Sequence, residues 1–152
     1  MVPYNLKTLI DTMGGKPAAE KRLNIFFKRL DASYEEDWFA AGNEPDFQVP
    51  WIYNWTNTPY KTSEVIHRVF NDIYNSKPNG LPGNDDLGTM GAWYVYASIG
   101  MYPMIPGVAG FTISSPQFEK VTVSLPNGNL TINGGSSEKF YIQNLKFNNK
   151  TL

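Results

Sequence analysis

The chain contains no cysteine and only one histidine, His67. Disulfides, thiolate nucleophiles and thiolate zinc sites are therefore excluded, and any bound metal has to be held by oxygen ligands or by that one imidazole. The redox compartment is left undetermined. An excess of charge of either sign is also lacking: 13 Lys and Arg stand against 14 Asp and Glu, with the signs interspersed. This excludes the clustered basic surface that nucleic acid or an anionic membrane would need, so no nucleic acid and no membrane is expected as a partner. Long apolar runs are missing as well, none approaching the roughly 18 residues of a membrane-spanning helix. At Met1–Leu9 no charged stretch leads into an apolar one, so no export signal is visible there. For a piece of a longer protein, that says nothing of the parent.

What remains is a globular composition. Hydrophobic residues make up 41 % and charged residues 18 % of 152 residues, enough for one domain with one core and far from the disordered range. Leu6, Leu9, Ile10 and Met13 recur at helical spacing and predict a helix from Val2 to Met13, ended by Gly14-Gly15 in a left-handed turn. A second helix starts at Pro17 and carries Leu23, Phe26, Phe27 and Leu30 as one stripe. The stretch from Trp38 to Tyr60 is rich in aromatics and proline and reads as a structured loop with a helical turn. Val65, Ile66, Val69, Phe70, Ile73 and Tyr74 predict a third helix with Thr62 as N-cap. After the turn-forming KPNGLPGNDDLG, a fourth helix runs from Thr89 to Ser98 with Gly100 as its cap.

Beyond Tyr102 the period changes to two, at Phe111 and Ile113, Val121 to Leu125, Leu130 and Ile132, and Phe140 and Ile142. Pro126-Asn127-Gly128 between two such runs signals a hairpin. Helices first and antiparallel strands after give a mainly α chain with a C-terminal β segment, with 1–104 as the helical part and 105–152 as the strand region. No repeat is evident in the sequence, although paired helices on long loops suit an α/α toroid.

Two loops place carboxylates beside an asparagine in a glycine-anchored turn: Gly42-Asn43-Glu44-Pro45 and Gly83-Asn84-Asp85-Asp86. Pro45 biases Glu44 toward an extended backbone. Asp85 and Asp86 precede a helix whose N-terminus favours negative charge, so N-capping stands beside catalysis as an explanation for them. Trp38, Trp51, Tyr53, Trp55 and Trp93 bracket the two loops. Sugar rings stack on aromatic faces, and cleavage of a glycosidic bond takes two carboxyl groups, one to protonate the leaving oxygen and one to activate water or attack. Trp93 and Tyr94, at helical spacing, read first as packing residues. His67 has no second histidine or nucleophile near it in sequence and reads as a partly exposed helix residue. The sequons at Asn54, Asn129 and Asn149 are short matches that acquire meaning only in a glycosylating compartment.

The run GNEPDFQVPWIYNW at 42–55, followed by NGLPGNDDLGTMGAWYVYASIGMYP at 79–103, closely resembles the core of the family 92 glycoside hydrolases, which are calcium-dependent α-mannosidases. The flanking Met13-Gly14-Gly15 and the 140–151 segment resemble the same family. The resemblance implies an N-terminal β-sandwich and an α/α six-hairpin barrel, of which this chain corresponds to the last part plus the strands that follow. It implies exo-acting hydrolysis of α-linked mannosides in glycans with inversion, and Ca2+ that binds mannose hydroxyls. By motif, Asn43, Glu44 and Gln48 correspond to the calcium cluster and Glu44 also to the sugar subsite, where Trp38 and Trp51, from the aromatics that bracket the loops, are the candidate stacking residues. One of Asp85 and Asp86 corresponds to the general base. The family's general acid is a glutamate upstream of the segment that Val2-Pro3-Tyr4-Asn5 resembles, so this polypeptide alone is expected to be inactive.

The absent sandwich and barrel helices are implied partners. Self-association is expected through an apolar face of Val65, Val69 and Ile73 left without them. The family's bacterial members are often secreted, periplasmic or surface-attached, and Asp46-Phe47-Gln48 stands where some relatives carry histidine. Two rival readings are a mannose-binding module without turnover and a purely structural helical scaffold.

Overall fold

A computed structural model describes residues 4–152, so the expected start of the first helix at Val2 lies outside the described residues. Helix α1 is Leu6–Thr12 and α2 is Lys16–Phe26. Asn5 caps α1 through its side-chain oxygen, which accepts from the Thr8 N–H at 3.1 Å, and Gly14 and Gly15 then turn the chain at positive φ. Helix α2 ends a turn earlier than its apolar stripe. The reason is competition for carbonyls: Phe26 O accepts from Phe39 N and Leu30 O from Ala41 N, so the returning chain replaces the next helical turn. Leu30 is buried nonetheless.

The aromatic loop is more regular than its composition suggests. It contains a 3₁₀ turn at Glu44–Asp46 and a 3₁₀ helix at Val49–Trp55, each with proline in its first turn, where the missing N–H costs nothing. Helix α3 is Tyr60–Asp72, with Pro59 as its N-cap. Thr62 is therefore inside the helix and not its cap. Its buried hydroxyl lies between Pro50 O and Asn54 Oδ1 and ties α3 to the 3₁₀ helix. Helix α4 is Thr89–Ile99 and ends at Gly100 in the left-handed region, as its sequence predicts.

Three two-stranded antiparallel units follow: β1 (Met101–Tyr102) with β2 (Thr112–Ile113), β3 (Lys120–Leu125) with β4 (Gly128–Asn133), and β5 (Lys146–Phe147) with β6 (Lys150–Thr151). In the β3–β4 hairpin Leu125 pairs with Gly128 across Pro126-Asn127. Phe140–Ile142 is not a strand. Phe140 instead stacks on His67 at 4.1 Å, and the Tyr141 hydroxyl donates to Glu64 at 2.7 Å, so contacts with α3 take that segment away from sheet pairing. His67 is half-buried under this contact.

Helix α3 packs on the 3₁₀ helix, and between them lies the core. Trp51, with no exposed surface, stacks on Tyr102 at 4.1 Å and meets Trp93 edge-on at 5.8 Å. Trp93 stacks on Tyr74 and donates its indole N–H to Phe47 O at 2.9 Å. Of the face expected to drive self-association, Val65 and Val69 are 4 % and 1 % exposed and so buried within the chain, while Ile73 is half-buried. The apolar stripe of α3 found its partner in the segment that composition marks only as loop. An apolar opening lies elsewhere, between α1, α2 and the 3₁₀ helix, lined by Leu9, Met13, Phe26 and Ile52.

Candidate active site

The two carboxylate loops meet through their glycines. A Cβ built on Gly42 would lie 2.7 Å from Pro82 O, and one on Gly83 would lie 2.9 Å from Gly42 O. The backbones of the two loops are thus in van der Waals contact, at a separation that only glycine permits. Turns some 40 residues apart in the chain become neighbours, which is the first requirement for a shared site. Gly42→Ala is accordingly expected to force the loops apart and to lower stability by about 1–3 kcal/mol, the range of overpacking substitutions. Urea unfolding of the variant beside the parent protein measures it.

Asn43 supplies the extended residue (φ −124°, ψ 117°), and Glu44 opens the 3₁₀ turn, closed by Phe47 N–H donating to Glu44 O at 3.1 Å. Glu44 is therefore not itself held extended as Pro45 led us to expect. The tighter 3₁₀ turn accommodates the proline, and the extended step moves back one residue. Glu44 Oε1 is buried and has no hydrogen-bond partner among the described residues. A buried carboxylate oxygen in that condition costs about 1–3 kcal/mol or more. Gln48 caps the following 3₁₀ helix and is half-buried on the same loop. Among the described residues no group of three or more His, Cys, Asp or Glu side chains clusters as a ready cation cage. The donors at this loop are the carboxylate of Glu44 and the carboxamides of Asn43 and Gln48, all hard oxygens of the type calcium accepts.

Asp46, two residues on, holds the loop's base. Its Oδ2 accepts from the Ala40 N–H at 3.0 Å, and burial raises its pKa above the ordinary 3.8 against the opposing pull of that bond. A carboxyl whose pKa is higher folded than unfolded binds its proton more tightly in the native state. Its contribution therefore erodes as pH rises from the unfolded pKa through the folded one. Asp46→Asn keeps the acceptor and removes the proton, so the variant is expected to lose this part of the acid-range slope in thermal unfolding against pH.

On the second loop the two aspartates separate in role. Asp85 Oδ1 accepts from the Gly91 N–H at 3.0 Å, and Asp85 O accepts from Thr89 N–H, so Asp85 is bound into the start of α4. Asp86 and the next residue, Leu87, both have positive φ, 43° and 61°. Neither is a glycine, and left-handed backbone at such residues costs about 1–2 kcal/mol each. The Asp86 main chain is fixed by its carbonyl, which accepts from the Thr89 hydroxyl at 2.6 Å. Its carboxylate is exposed and makes no hydrogen bond among the described residues. Sequence inspection missed this strain, because nothing in Asp-Asp-Leu-Gly predicts two consecutive left-handed residues.

The aromatics divide less favourably for sugar binding. Trp51 is the centre of the core and presents no face to a ligand, so its expected stacking role is replaced by a packing role. Trp38 is half-buried, with the Arg29 guanidinium over its ring at 5.2 Å. Trp93 is core, as its spacing suggests, while Tyr94 is 41 % exposed.

The chain thus joins two touching carboxylate loops to a helical body, with strand pairs following. The model of the glycosyl hydrolase family 92 catalytic domain matches residues 1–152, and the chain belongs to that family. A secreted glycosidase of Arthroderma benhamiae, itself uncharacterised, is 32 % identical over 98 % of this chain and 19 % of its own length. A family GH92 α-mannosidase from Bacteroides thetaiotaomicron is similar in structure with a TM-score of 0.85 at 33 % identity, over 99 % of this chain and 20 % of that one. A GH92 inverting mannosidase from the same species has a TM-score of 0.85 at 27 % identity, over 99 % of this chain and 23 % of its own. The chain thus spans about a fifth of the length of these relatives. The helix-rich body and small C-terminal antiparallel pairs match the GH92 structures.

Proposed function

We propose that the whole protein containing this chain is an exo-acting, inverting α-mannosidase that uses calcium, and that this chain supplies the base and one wall of the sugar site. The observation that carries the reading is the glycine contact that brings Glu44 and the Asp85-Asp86 pair onto adjoining loops, together with the unpaired Glu44 oxygen. The solved structures of similar fold whose names include mannosidase support the substrate class.

In this reading Asp86 is the general base. Its carboxylate takes a proton from water as the water oxygen attacks the anomeric carbon, and a second carboxyl protonates the departing oxygen. Inversion needs the two carboxyls about 6.5–9.5 Å apart so that the water fits between base and sugar. The second carboxyl is assigned by resemblance to a glutamate upstream of the segment that Val2-Pro3-Tyr4-Asn5 resembles, so the chain alone is expected to be inactive. Asp85 acts by fixing the loop through its bond to the Gly91 N–H. Asn43, Glu44 and Gln48 would hold calcium, which supplies a positive centre for vicinal sugar hydroxyls.

Proton NMR of a fresh digest of an aryl α-mannoside by the full-length protein tests the reading. β-Mannose is expected as the first product, and α-mannose appearing first overturns inversion. Calorimetry with calcium alone, on full-length protein carrying Glu44→Gln, is expected to show weakened binding. Unchanged affinity removes Glu44 from the cation site.

A further inference from the structure

Asp86, Leu87 and Gly88 have φ of 43°, 61° and 83°, so the chain makes one left-handed turn immediately before α4. Packing does not hold this turn: Leu87 is fully exposed, and a Cβ built on Gly88 would meet nothing within 4 Å. Hydrogen bonds from Thr89 hold it instead. Its N–H donates to Asp85 O at 2.8 Å and, at 3.3 Å, to Asp86 O, and its hydroxyl donates to Asp86 O at 2.6 Å. Among the described residues no other side chain bonds Asp86. We propose that Thr89 is a positioning residue for the reaction, its hydroxyl fixing the backbone of Asp86 so that the carboxylate stays aimed at the attacking water. This role rests on the reading of Asp86 as the general base.

Proton transfer is what makes the backbone of the base matter. A general base acts within about 2.6–3.2 Å of the oxygen whose proton it takes, and a misplacement of about 1 Å costs on the order of 10² in rate. Ordinary right-handed backbone has φ near about −60°, and moving Asp86 there rotates its Cα–Cβ bond by about 100° around the N–Cα axis. The carboxylate then leaves the position it holds in the turn. Left-handed backbone is unfavourable at Asp86 and at Leu87, which both carry a Cβ, so a bond has to offset its cost. The 2.6 Å bond from the Thr89 hydroxyl is the shortest that Asp86 makes. It engages the carbonyl and not the carboxylate, which leaves the side chain free to take a proton. Asp85, bound to the Gly91 N–H at 3.0 Å, fixes the stretch ahead of the base, and Thr89 fixes the base itself.

Steady-state kinetics of the full-length protein on an aryl α-mannoside test the role. Thr89→Val, close to threonine in shape but without the hydroxyl, is expected to lower kcat about tenfold, the order that one hydrogen bond is worth in a rate, and to leave KM unchanged. Thr89→Ser keeps the donor and is expected to recover most of that loss. Added to Asp86→Asn, Thr89→Val is expected to cost nothing further, because no base is left to position. An equal loss in both backgrounds, a serine variant as slow as the valine one, or a change in KM alone overturns the positioning role. If Thr89→Val keeps the parent kcat while Asp86→Asn is slow, the positioning role falls and the base reading stands. If Asp86→Asn is as fast as the parent, the base reading falls and takes the positioning role with it.

Discussion

Full-length protein carrying Asp86→Asn is expected to hydrolyse an aryl α-mannoside about 10²- to 10⁴-fold more slowly, the usual worth of a general acid or base. The carboxamide is nearly isosteric and its main-chain bonds are untouched, so the loop is expected to keep its shape while the proton acceptor disappears. Asp85→Asn makes the control. Its side-chain oxygen can still accept from the Gly91 N–H, which now is held at 3.0 Å, because asparagine caps helices as well as aspartate does. A loss under tenfold is expected there. A steady-state kcat for both variants, with near-native melting, decides the assignment. If Asp85→Asn is the dead one, the roles of the two residues exchange. If both variants lose turnover yet keep the sugar affinity of the parent, a binding module without hydrolysis is excluded as well.

Trp51→Ala is expected to destabilise the protein by about 3–5 kcal/mol, at the upper end for single core truncations. The residue has no exposed surface and touches Tyr102 and Trp93, so its loss leaves a void walled by aromatic rings that cannot close it. Trp51→Phe separates packing from polarity. The Trp51 indole N–H is buried without a partner among the described residues, and an unmet donor costs about 1–3 kcal/mol. Removing it offsets part of the lost volume, and a net change under about 1.5 kcal/mol is expected. Denaturant unfolding of the two variants side by side gives both numbers. Near-equal losses would mean that the donor is satisfied in solution.

Part of the site was legible from residue order. Carboxylates flanked by asparagine and anchored by glycine mark both loops, which the fold brings into contact. Trp51 was not legible in this way, since a tryptophan beside an acidic turn looks the same in sequence whether it faces a sugar or fills a core. The conformation of Asp86 and Leu87 was hidden too. Left-handed backbone there is held by Thr89 and the start of α4, and local propensity argues against it. Thr62 shows the same limit from the other side: a good N-cap by type, it was taken into α3 because Pro50 and Asn54 offered its hydroxyl better partners.

Sequence by itself determined the order of helices before strands, the β3–β4 hairpin, the helix ends at Gly14-Gly15 and Gly100, and the identity of the two carboxylate loops. These are short-range properties, set by side-chain period and by which residues tolerate a turn. Tertiary structure alone decided that the loops touch at Gly42 and Gly83, that α2 stops at Phe26, that Phe140 leaves the sheet for His67, and that one aspartate is tied down while the other stays open. Each of these outcomes is a competition for a hydrogen bond or a packing partner between residues distant in the chain, and local pattern carries no record of which competitor lies nearby once the chain has folded.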